Sequence, residues 1–514
     1  MATRWGITPE NARWWAVAAA CFGLGMAMLD TTVVITALPT IRQDLHMSLS
    51  GLLWTVSAYT LAHAVLLVTG GRLGDIYGRR RVYLIGLSIF AVASAGAGAA
   101  PNEGLLFAGR AVQGVGAALM MPSTLAIITN VFPPKERARA IGIWAGVSGI
   151  ALAVGPAVGG LLTSEVSWRA IFFLNLPIGA VAIVVTLVAV PEFSNPKAVH
   201  KLDVPGVLVL SAAMTALVLA VIQSTEWGWT SVRILGLLGG AAVGVVVFVL
   251  VERAAPSPVL KLELLHSRPL VASVVAALSL SMGLIAMLFY MTIYLQSVLG
   301  YGVLETGLRL VPGTIMVALV SPRSGALQQR MPVRYVIAGG LVTVAVGLAV
   351  VTRLTVDSSY TTVLVALVIL GVGVGIVTPA MSSSAMSSIH PKDAGSASSM
   401  VSMGRQLGFA LGVAIVGTVF KSLARTRASQ SLTALGLPRS ASRGLVDAAG
   451  AGHVPSLPQG GPPGVVHALR DAVAHGVANA MYVPMTILLV GTVVVLLLTA
   501  GSSAPAPSGG APGH

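Results

Sequence analysis

The chain has 514 residues, of which 55% are hydrophobic and 9% charged, and its formal net charge is +14. A soluble chain carries about 25% charged residues, so this composition excludes a soluble multidomain enzyme, and its hydrophobicity excludes a disordered chain. One cysteine excludes both a disulfide framework and a thiolate metal cluster. We therefore predict an integral membrane protein.

Fourteen apolar runs follow one another, each long enough to cross a hydrocarbon layer of about 30 Å as a helix. Their continuous apolarity excludes a large β-barrel, whose strands alternate over about ten residues. The predicted spans are 14–38, 51–71, 82–100, 105–129, 139–163, 169–190, 203–222, 232–251, 270–297, 303–322, 335–352, 360–380, 398–420 and 479–499.

Lysine and arginine concentrate in alternate short loops, such as 72–81 and 135–139. By the positive-inside rule these loops and both termini are cytoplasmic. The positive charge thus reflects topology, and no basic arm or zinc spacing indicates a nucleic-acid partner. The arginine-containing segment 422–478 is assigned to the outside as a long loop, because long loops translocate largely regardless of charge.

The predicted fold is all-α, with two six-helix bundles and two linker helices. Segment 321–334 falls between the tenth and eleventh spans, where 70–81 falls between the second and third, and such internal symmetry is typical of secondary transporters. The units are a cytoplasmic N-terminus (1–13), an N-terminal bundle (14–190), a linker (191–269), a C-terminal bundle with a long extracellular loop at 422–478 (270–499) and a disordered cytoplasmic tail (500–514).

Asp30 and Arg110 are the charges that cost most to keep inside the bilayer, where each charge costs at least about 2.5 kcal/mol. They lie about 6 Å and about 10 Å from the middle of the first and fourth spans, on the same side. Neighbouring helices would let them pair. Alternatively, Arg110 snorkels outward and Asp30 bonds to a nearby hydroxyl. Burial and a nearby arginine oppose each other, so Asp30 could exchange a proton.

Other polar residues mark a possible substrate cavity. Arg405 in the thirteenth span has no mid-span carboxylate in its own bundle, so it must use backbone carbonyls, water or substrate. Each of the others is equally compatible with helix packing. The full set of cavity candidates is Trp54, Tyr59, His63, Gln113, Asn175, Tyr290, Tyr294, Met381, Arg405 and Gln406.

Several motifs resemble the major facilitator superfamily, and more closely its fourteen-helix drug:proton antiporter branch. LDTTVVITALPTI (29–41) is similar to the branch's first-helix motif, and RAVQGVGAALMMPS (110–123) to the fourth-helix motif. The resemblance implies proton coupling by Asp30 and Arg110. GPAVGG (155–160) resembles the fifth-helix motif of antiporters, which implies export. WRAIFFLNLPIG (168–179) and the segment around Arg405 are also similar to this branch.

GRLGDIYGRRR (71–81) resembles the superfamily's signature loop, in which the aspartate locks the two halves together on the cytoplasmic side. Ile35 and Ile76 depart from the family pattern, where an asparagine and a basic residue are usual. The resemblance implies a conformational gate made of Gly71, Asp75, Gly78, Arg79, Arg80, Gly155, Pro156 and Gly159.

The resemblance implies a proton-driven exporter of amphipathic drug-like molecules in the cytoplasmic membrane, acting as a monomer among lipids. Neutral, zwitterionic and monocationic substrates stay open. The alternatives are a proton symporter importing a metabolite and a membrane sensor without transport. Because no phosphate loop, metal cluster or Ser/His/Asp set appears, we expect no enzyme activity, no cofactor and no metal.

Overall fold

The computed structural model describes residues 11–192, 203–256, 258, 260–389, 394–455 and 464–500. Within these ranges the chain is helical apart from short connections. The α-helices are α1 (Ala12–Asp44), α2 (Leu49–Tyr77), α3 (Arg79–Gly98), α4 (Glu103–Val131), α5 (Pro134–Glu165), α6 (Ala170–Phe173), α7 (Asn175–Ala189), α8 (Val204–Trp227), α9 (Val232–Ala254), α10 (Arg268–Ile293), α11 (Val303–Arg330), α12 (Val333–Val351), α13 (Tyr360–Ser387), α14 (Ala394–Ala434), α15 (Arg439–Gly450), α16 (Val465–Ala480) and α17 (Tyr482–Leu498).

Each of the fourteen predicted spans falls on helix. Thirteen helical stretches of the described residues are long and apolar enough to cross a membrane. The fifth predicted span is not among these thirteen and lies within α5, a helix of 32 residues. The sixth is interrupted at Leu174, between α6 and α7. The all-α fold of a multi-pass membrane protein is thereby confirmed, while the N-terminal residues 1–10 and the tail 501–514 lie outside the described residues.

Polar side chains cap the N-termini of several of these helices. The side chains of Ser48, Asn102, Asp203 and Ser231 accept hydrogen bonds from backbone amides three residues later. Each bond satisfies an amide that the helix itself leaves unpaired, which is worth about 1 kcal/mol. These caps set where α2, α4, α8 and α9 start.

Small residues let the helices of each bundle approach closely. In the N-terminal bundle, a side chain at Gly114 of α4 would collide with the backbone of α2 at Tyr59. In the C-terminal bundle, α14 presents Gly404, Gly408 and Gly412 to α10, where added side chains would meet the α10 backbone. Glycines spaced by four residues lie on one helix face, so they form a continuous packing strip.

The two bundles meet along α5 with α11 and α2 with α14, and the linker helix α8 packs against α2 and α14. Several contacts between bundles lie towards the turn that joins α1 to α2. Gln296, in the π-turn that ends the α10 segment, donates to the Thr36 carbonyl at 3.2 Å, and Gly307 of α11 abuts the carbonyl of Pro156 in α5. The bundle is therefore closed at this end, called here the α1–α2 end.

Segment 422–478 is not the loop that the sequence suggested. The helix α14 continues to Ala434, and α15 and α16 follow, so most of the segment is helical. Arg425 pairs with Asp447, and Arg427 with Asp471 at 2.8 Å. We call residues 422–455 and 464–480 the cap. It also touches the N-terminal bundle, because Arg42 at the end of α1 donates to the Ala451 carbonyl at 2.7 Å.

Candidate functional site: a buried ion pair and a second buried arginine

An ion pair between Asp30 and Arg110 lies at the centre of the N-terminal bundle. Arg110 Nη1 is 2.6 Å from Asp30 Oδ2, and each residue is 2% exposed. The sequence-based pairing of α1 with α4 is therefore present. In a buried pair each charge offsets the desolvation of the other, so removal of one partner costs about 3–5 kcal/mol.

Two amide side chains complete the surroundings of the Asp30 carboxylate. Gln113 Nε2 and Asn175 Nδ2 each lie 3.1 Å from Asp30 Oδ1, and both residues are fully buried. Gln113 also accepts from Arg110 Nη1 at 2.9 Å. The structure therefore places these two predicted cavity residues around the ion pair. Hydrogen-bond donors therefore approach both carboxylate oxygens of Asp30.

The local helix geometry explains how these groups converge. Arg110 and Gln113 are three residues apart on α4, so they share a face. The interruption at Leu174 starts α7 at Asn175, whose amide also donates to Ser94 Oγ of α3 at 3.0 Å. We call Asp30, Arg110, Gln113, Asn175 and Ser94 the Asp30 cluster.

The arginine of the Asp30 cluster has further partners on α2. Arg110 Nε donates to the Thr55 carbonyl at 3.0 Å, and its guanidinium lies 4.5 Å from the centre of the Tyr59 ring. Sequence reasoning missed Ser94 and the Thr55 carbonyl. A backbone carbonyl gives no sequence signal, and a single serine in an apolar span is more often a packing residue.

His63 and Gln406 join the two bundles. The amide nitrogen of Gln406 on α14 lies 2.7 Å from Nδ1 of His63 on α2, and both residues are buried. Arg405 stands beside this bond and retains some exposed surface. Its guanidinium donates to Ser402 Oγ at 3.3 Å, and its charge acts on the His63 ring. These three predicted cavity residues are therefore close together.

The remaining predicted cavity residues pack in the apolar core. Tyr294 donates to the Thr355 carbonyl at 2.7 Å, and Tyr290 packs on Phe420 with ring centres 5.0 Å apart. Met381 is 1% exposed, and Trp54 is partly buried against the same core. All four side chains are therefore buried or partly buried, and the Tyr290 hydroxyl has no hydrogen-bond partner among the described residues.

The predicted gate residues near the turn between α2 and α3 are held by a carboxylate that sequence reasoning missed. Glu192, just after α7, accepts from the backbone amides of Arg80 and Arg81 at 3.0 and 3.2 Å. Gly78 between the helices has φ +103°, and a side chain there would collide with Glu192. A carboxylate at a helix N-terminus is favourable, and it fixes the start of α3.

Two further hydrogen bonds near this turn lie within the N-terminal bundle. Arg79 donates to the Gly71 carbonyl at 3.0 Å and Arg80 to the Leu187 carbonyl at 2.6 Å. The side chain of Asp75 lies outside the described residues.

The predicted gate residues of α5 lie between two other helices. A side chain at Gly155 would meet Thr32 of α1, and one at Gly159 would meet Val33 and Thr36. On the α11 side, the carbonyl of Pro156 abuts Gly307. The segment 155–160 therefore joins α1 to the opposite bundle through backbone contacts, and a bulkier residue here would separate the helices.

No group of three or more histidine, cysteine, aspartate or glutamate side chains suited to a metal ion occurs among the described residues. Ile35 and Ile76 are the two positions that depart from the family's motifs. Ile35 is 2% exposed, and Ile76 is partly buried on α2.

Thirteen membrane-length helical stretches among the described residues, with a buried ion pair inside the N-terminal bundle, are the features of a multi-pass membrane protein of the transporter class. The family model of the major facilitator superfamily matches residues 20–413. The chain belongs to the major facilitator superfamily.

Three relatives are resistance and export proteins. The chain is 35% identical to the tetracenomycin C resistance and export protein of Streptomyces glaucescens, over 94% of this chain and 91% of that protein. It is 38% identical to the multidrug resistance protein Stp of Mycobacterium tuberculosis, over 77% and 74% of the two chains. The puromycin resistance protein of Streptomyces alboniger is 36% identical, over 80% and 82%.

Solved structures share the fold at low identity. A bacterial homologue of the human lysosomal transporter Spinster, in an inward-facing and occupied conformation, superposes with a TM-score of 0.65 at 15% identity, covering 97% of this chain and 100% of that one. The peptide transporter POT gives 0.62 at 14% identity, covering 95% of both chains.

Proposed function

We propose that the protein is a proton-coupled antiporter that exports amphipathic drug-like molecules across the cytoplasmic membrane. The observation that carries the proposal is the Asp30 cluster, a carboxylate buried in the bilayer with an arginine and two amides around it. Intramembrane ionisable residues of this kind are typical of proton relays. The resistance and export roles of the relatives support a drug-like substrate and the outward direction.

The cycle rests on what protonation does to the Asp30 cluster. The ionised carboxylate attracts the Arg110 guanidinium at 2.6 Å. When Asp30 gains a proton, that attraction falls and one carboxyl oxygen becomes a donor. The hydrogen bonds around Arg110 must then rearrange, and this couples proton binding to the packing of α1 against α4. The protonated form returns inward and releases the proton.

Alternating access requires the closed α1–α2 end to open. If that end faces outward, as the positive-inside rule predicts, the structure is an inward-facing state, with substrate entering from the cytoplasm or inner leaflet. Opening would break the contacts at Gln296 and the His63–Gln406 bond, while the segment 155–160 would act as the hinge. Rocking of one bundle against the other is the usual form of such motion.

The proposal extends to the surroundings of the protein. Both termini are cytoplasmic, the protein functions as a monomer among membrane lipids, and the proton gradient supplies the energy without a cofactor. A symporter would move the same proton and substrate in one direction, and a sensor would move neither.

Transport by cells and vesicles tests the proposal. A strain that expresses the protein should become more resistant to some members of a panel of tetracenomycin C, puromycin and ethidium, and a proton uncoupler should abolish the difference. Inverted vesicles should then accumulate the selected compound only with an imposed proton gradient. Asp30→Asn, which keeps the size of the side chain, should reduce this accumulation to background.

The control is Asp357→Asn, on a turn outside the bundles' interior. Gradient-independent accumulation, or full activity of Asp30→Asn, would contradict proton coupling through Asp30. Increased uptake by whole cells would favour the symporter, and no flux of any compound would favour the sensor.

A further inference from the structure

Arg405 is a cation in the N-terminal third of α14, and it has no acidic partner among the described residues. Within the part of the chain that the structure describes, its one hydrogen bond is the 3.3 Å contact with Ser402. The sequence contains no aspartate or glutamate between residues 394 and 446, and none between 358 and 392. A guanidinium has five N–H donors, so most of its hydrogen-bonding capacity is not used by these contacts.

His63 adds a second unused donor beside it. The Gln406 amide nitrogen can only donate, so Nδ1 of His63 is the acceptor of their 2.7 Å bond. The proton of the neutral ring is then on Nε2. His63 is only 3% exposed, and its Nε2 atom is buried without a hydrogen-bond partner among the described residues. A buried donor without a partner is unfavourable, and a bound acceptor would satisfy it.

Asp30 does not supply the missing acceptor. Its two oxygens already accept from Arg110, Gln113 and Asn175 inside the N-terminal bundle. The same contacts leave Asp30 poorly placed to bind a cationic substrate. Arg405 and His63 therefore present hydrogen-bond donors and a positive charge, while the Asp30 carboxylate is already occupied by its own partners.

We propose that Arg405 and His63 form a binding site for an acidic, acceptor-bearing group on the transported molecule, such as a carboxylate, phenolate or enolate. The inference rests on the proposed function and names the substrate class that the site takes. A guanidinium binds such groups through two parallel hydrogen bonds, and its flat face also stacks on aromatic rings. His63 Nε2 donates a third bond. The substrates selected are planar, aromatic weak acids in their anionic form.

Because His63 lies on α2 and Arg405 on α14, an anion held by both joins the two bundles. The Gln406–His63 bond positions the ring so that Nε2 is directed away from Gln406. An apolar aromatic ring of matching size at position 63 would keep the packing and lose the donor.

Binding to the purified protein in detergent micelles tests the site without any proton gradient. Isothermal titration calorimetry would compare three probes that share one ring system: 2-naphthylacetate, 2-naphthaleneethanol and 2-(2-naphthyl)ethylammonium. Wild-type protein should bind the anion at least about tenfold more tightly than the alcohol, the scale of a charge-assisted hydrogen bond, and should bind the cation most weakly. Empty micelles give the partition background.

Three variants assign the preference to residues. Arg405→Gln should remove the preference for the anion, Arg405→Lys should keep part of it, and His63→Phe should reduce it severalfold. The matched control is Arg353→Gln, an exposed arginine of the same bundle, which should bind as wild type does. Equal binding of the three probes by wild type, or an undiminished preference in Arg405→Gln, would overturn the proposal.

The test also separates this inference from proton coupling. If the protein binds the anion through Arg405 but does not exchange a compound for protons, the binding-site proposal stands and the antiport proposal fails. If proton-coupled export works while Arg405→Gln retains the full anion preference, the antiport proposal stands and the binding-site proposal fails.

Discussion

Arg110 and Arg405, the two arginines inside the helix bundles considered above, are in opposite situations. Arg110 in the N-terminal bundle has a carboxylate at 2.6 Å, an amide and a backbone carbonyl as partners. Arg405 in the C-terminal bundle has one serine at 3.3 Å among the described residues. In a pair, each charge offsets the free-energy cost of burying the other. A charge without a partner retains that cost, which a bound substrate of opposite charge would reduce. Under the two proposals above, Asp30 of the N-terminal bundle carries the proton, and Arg405 of the C-terminal bundle holds the substrate together with His63 of the N-terminal bundle.

Thermal stability provides the largest contrast between the two arginines. Arg110→Gln leaves the Asp30 carboxylate buried without its counter-charge, so we expect a loss of about 3–5 kcal/mol. Arg405→Gln leaves no carboxylate unpaired, and its stability should equal or exceed that of the wild type. The measurement is the unfolding temperature of each purified variant in the same detergent.

The double variant Asp30→Asn with Arg110→Gln serves as the control. It removes both charges and should recover much of the stability that Arg110→Gln loses. Equal destabilisation by Arg110→Gln and Arg405→Gln would show that Arg405 has a structural partner and would remove the contrast.

Asn175→Leu should lower the thermal stability, by less than Arg110→Gln does. The Asn175 amide donates to the Asp30 carboxylate at 3.1 Å, and the variant removes that bond. A hydrogen bond to a charged group is worth about 1.5–3 kcal/mol. The unfolding temperature of the purified variant should therefore lie between those of the wild type and Arg110→Gln.

Asn130→Leu, at an exposed position near the end of α4, should leave the unfolding temperature unchanged. An unfolding temperature of Asn175→Leu equal to that of the wild type would show that this bond does not stabilise the Asp30 cluster.

The smallest expected effect concerns the cap, which extends from the C-terminal bundle to the end of α1. Burial, and secondarily the Arg42 charge, lower the pKa of His453 from its ordinary value of 6.5. Because the docked cap disfavours the protonated ring, the docking should be intact above pH 6.5 and weaken as the pH falls through that value. Hydrogen exchange of α15 at pH 7.5 and 5.5, corrected for intrinsic rates, measures the effect.

His453→Gln should abolish this pH dependence, and His467→Gln on the exposed side of α16 should preserve it. An unchanged pH dependence in His453→Gln would assign the effect to another group.

The helices and the depth of the ion pair could be predicted from the sequence, whereas the partners of Asp30 and the contacts of Glu192 could not. Apolar run length gave the helices, and residue counting along α1 and α4 placed Asp30 and Arg110 at matching depth. The depth of a residue along a span does not determine the direction in which its side chain points around the helix axis. The sequence therefore predicts Gln113 and Asn175 as cavity residues rather than as members of the Asp30 cluster. Glu192 was missed because a lone glutamate after a span has no local pattern that indicates its partner.

The sequence predicts a loop for segment 422–478 because polar residues there interrupt the continuous apolar runs that indicate membrane spans. Its helices bury small alanine-rich faces, such as Ala472 and Ala474 of α16, and these produce a weaker hydropathy signal than leucine or isoleucine. Helical periodicity of alanine would have been the signal to follow.

The central claim is that Asp30 carries the coupled proton. The direct measurement is proton release when a transported compound binds to purified protein in weakly buffered detergent solution, recorded with a pH-sensitive dye at a pH where binding does not change the ionisation of the compound itself. We predict release by the wild type and by Arg353→Gln, and none by Asp30→Asn at the same occupancy of the compound. Equal release by wild type and Asp30→Asn would contradict the account.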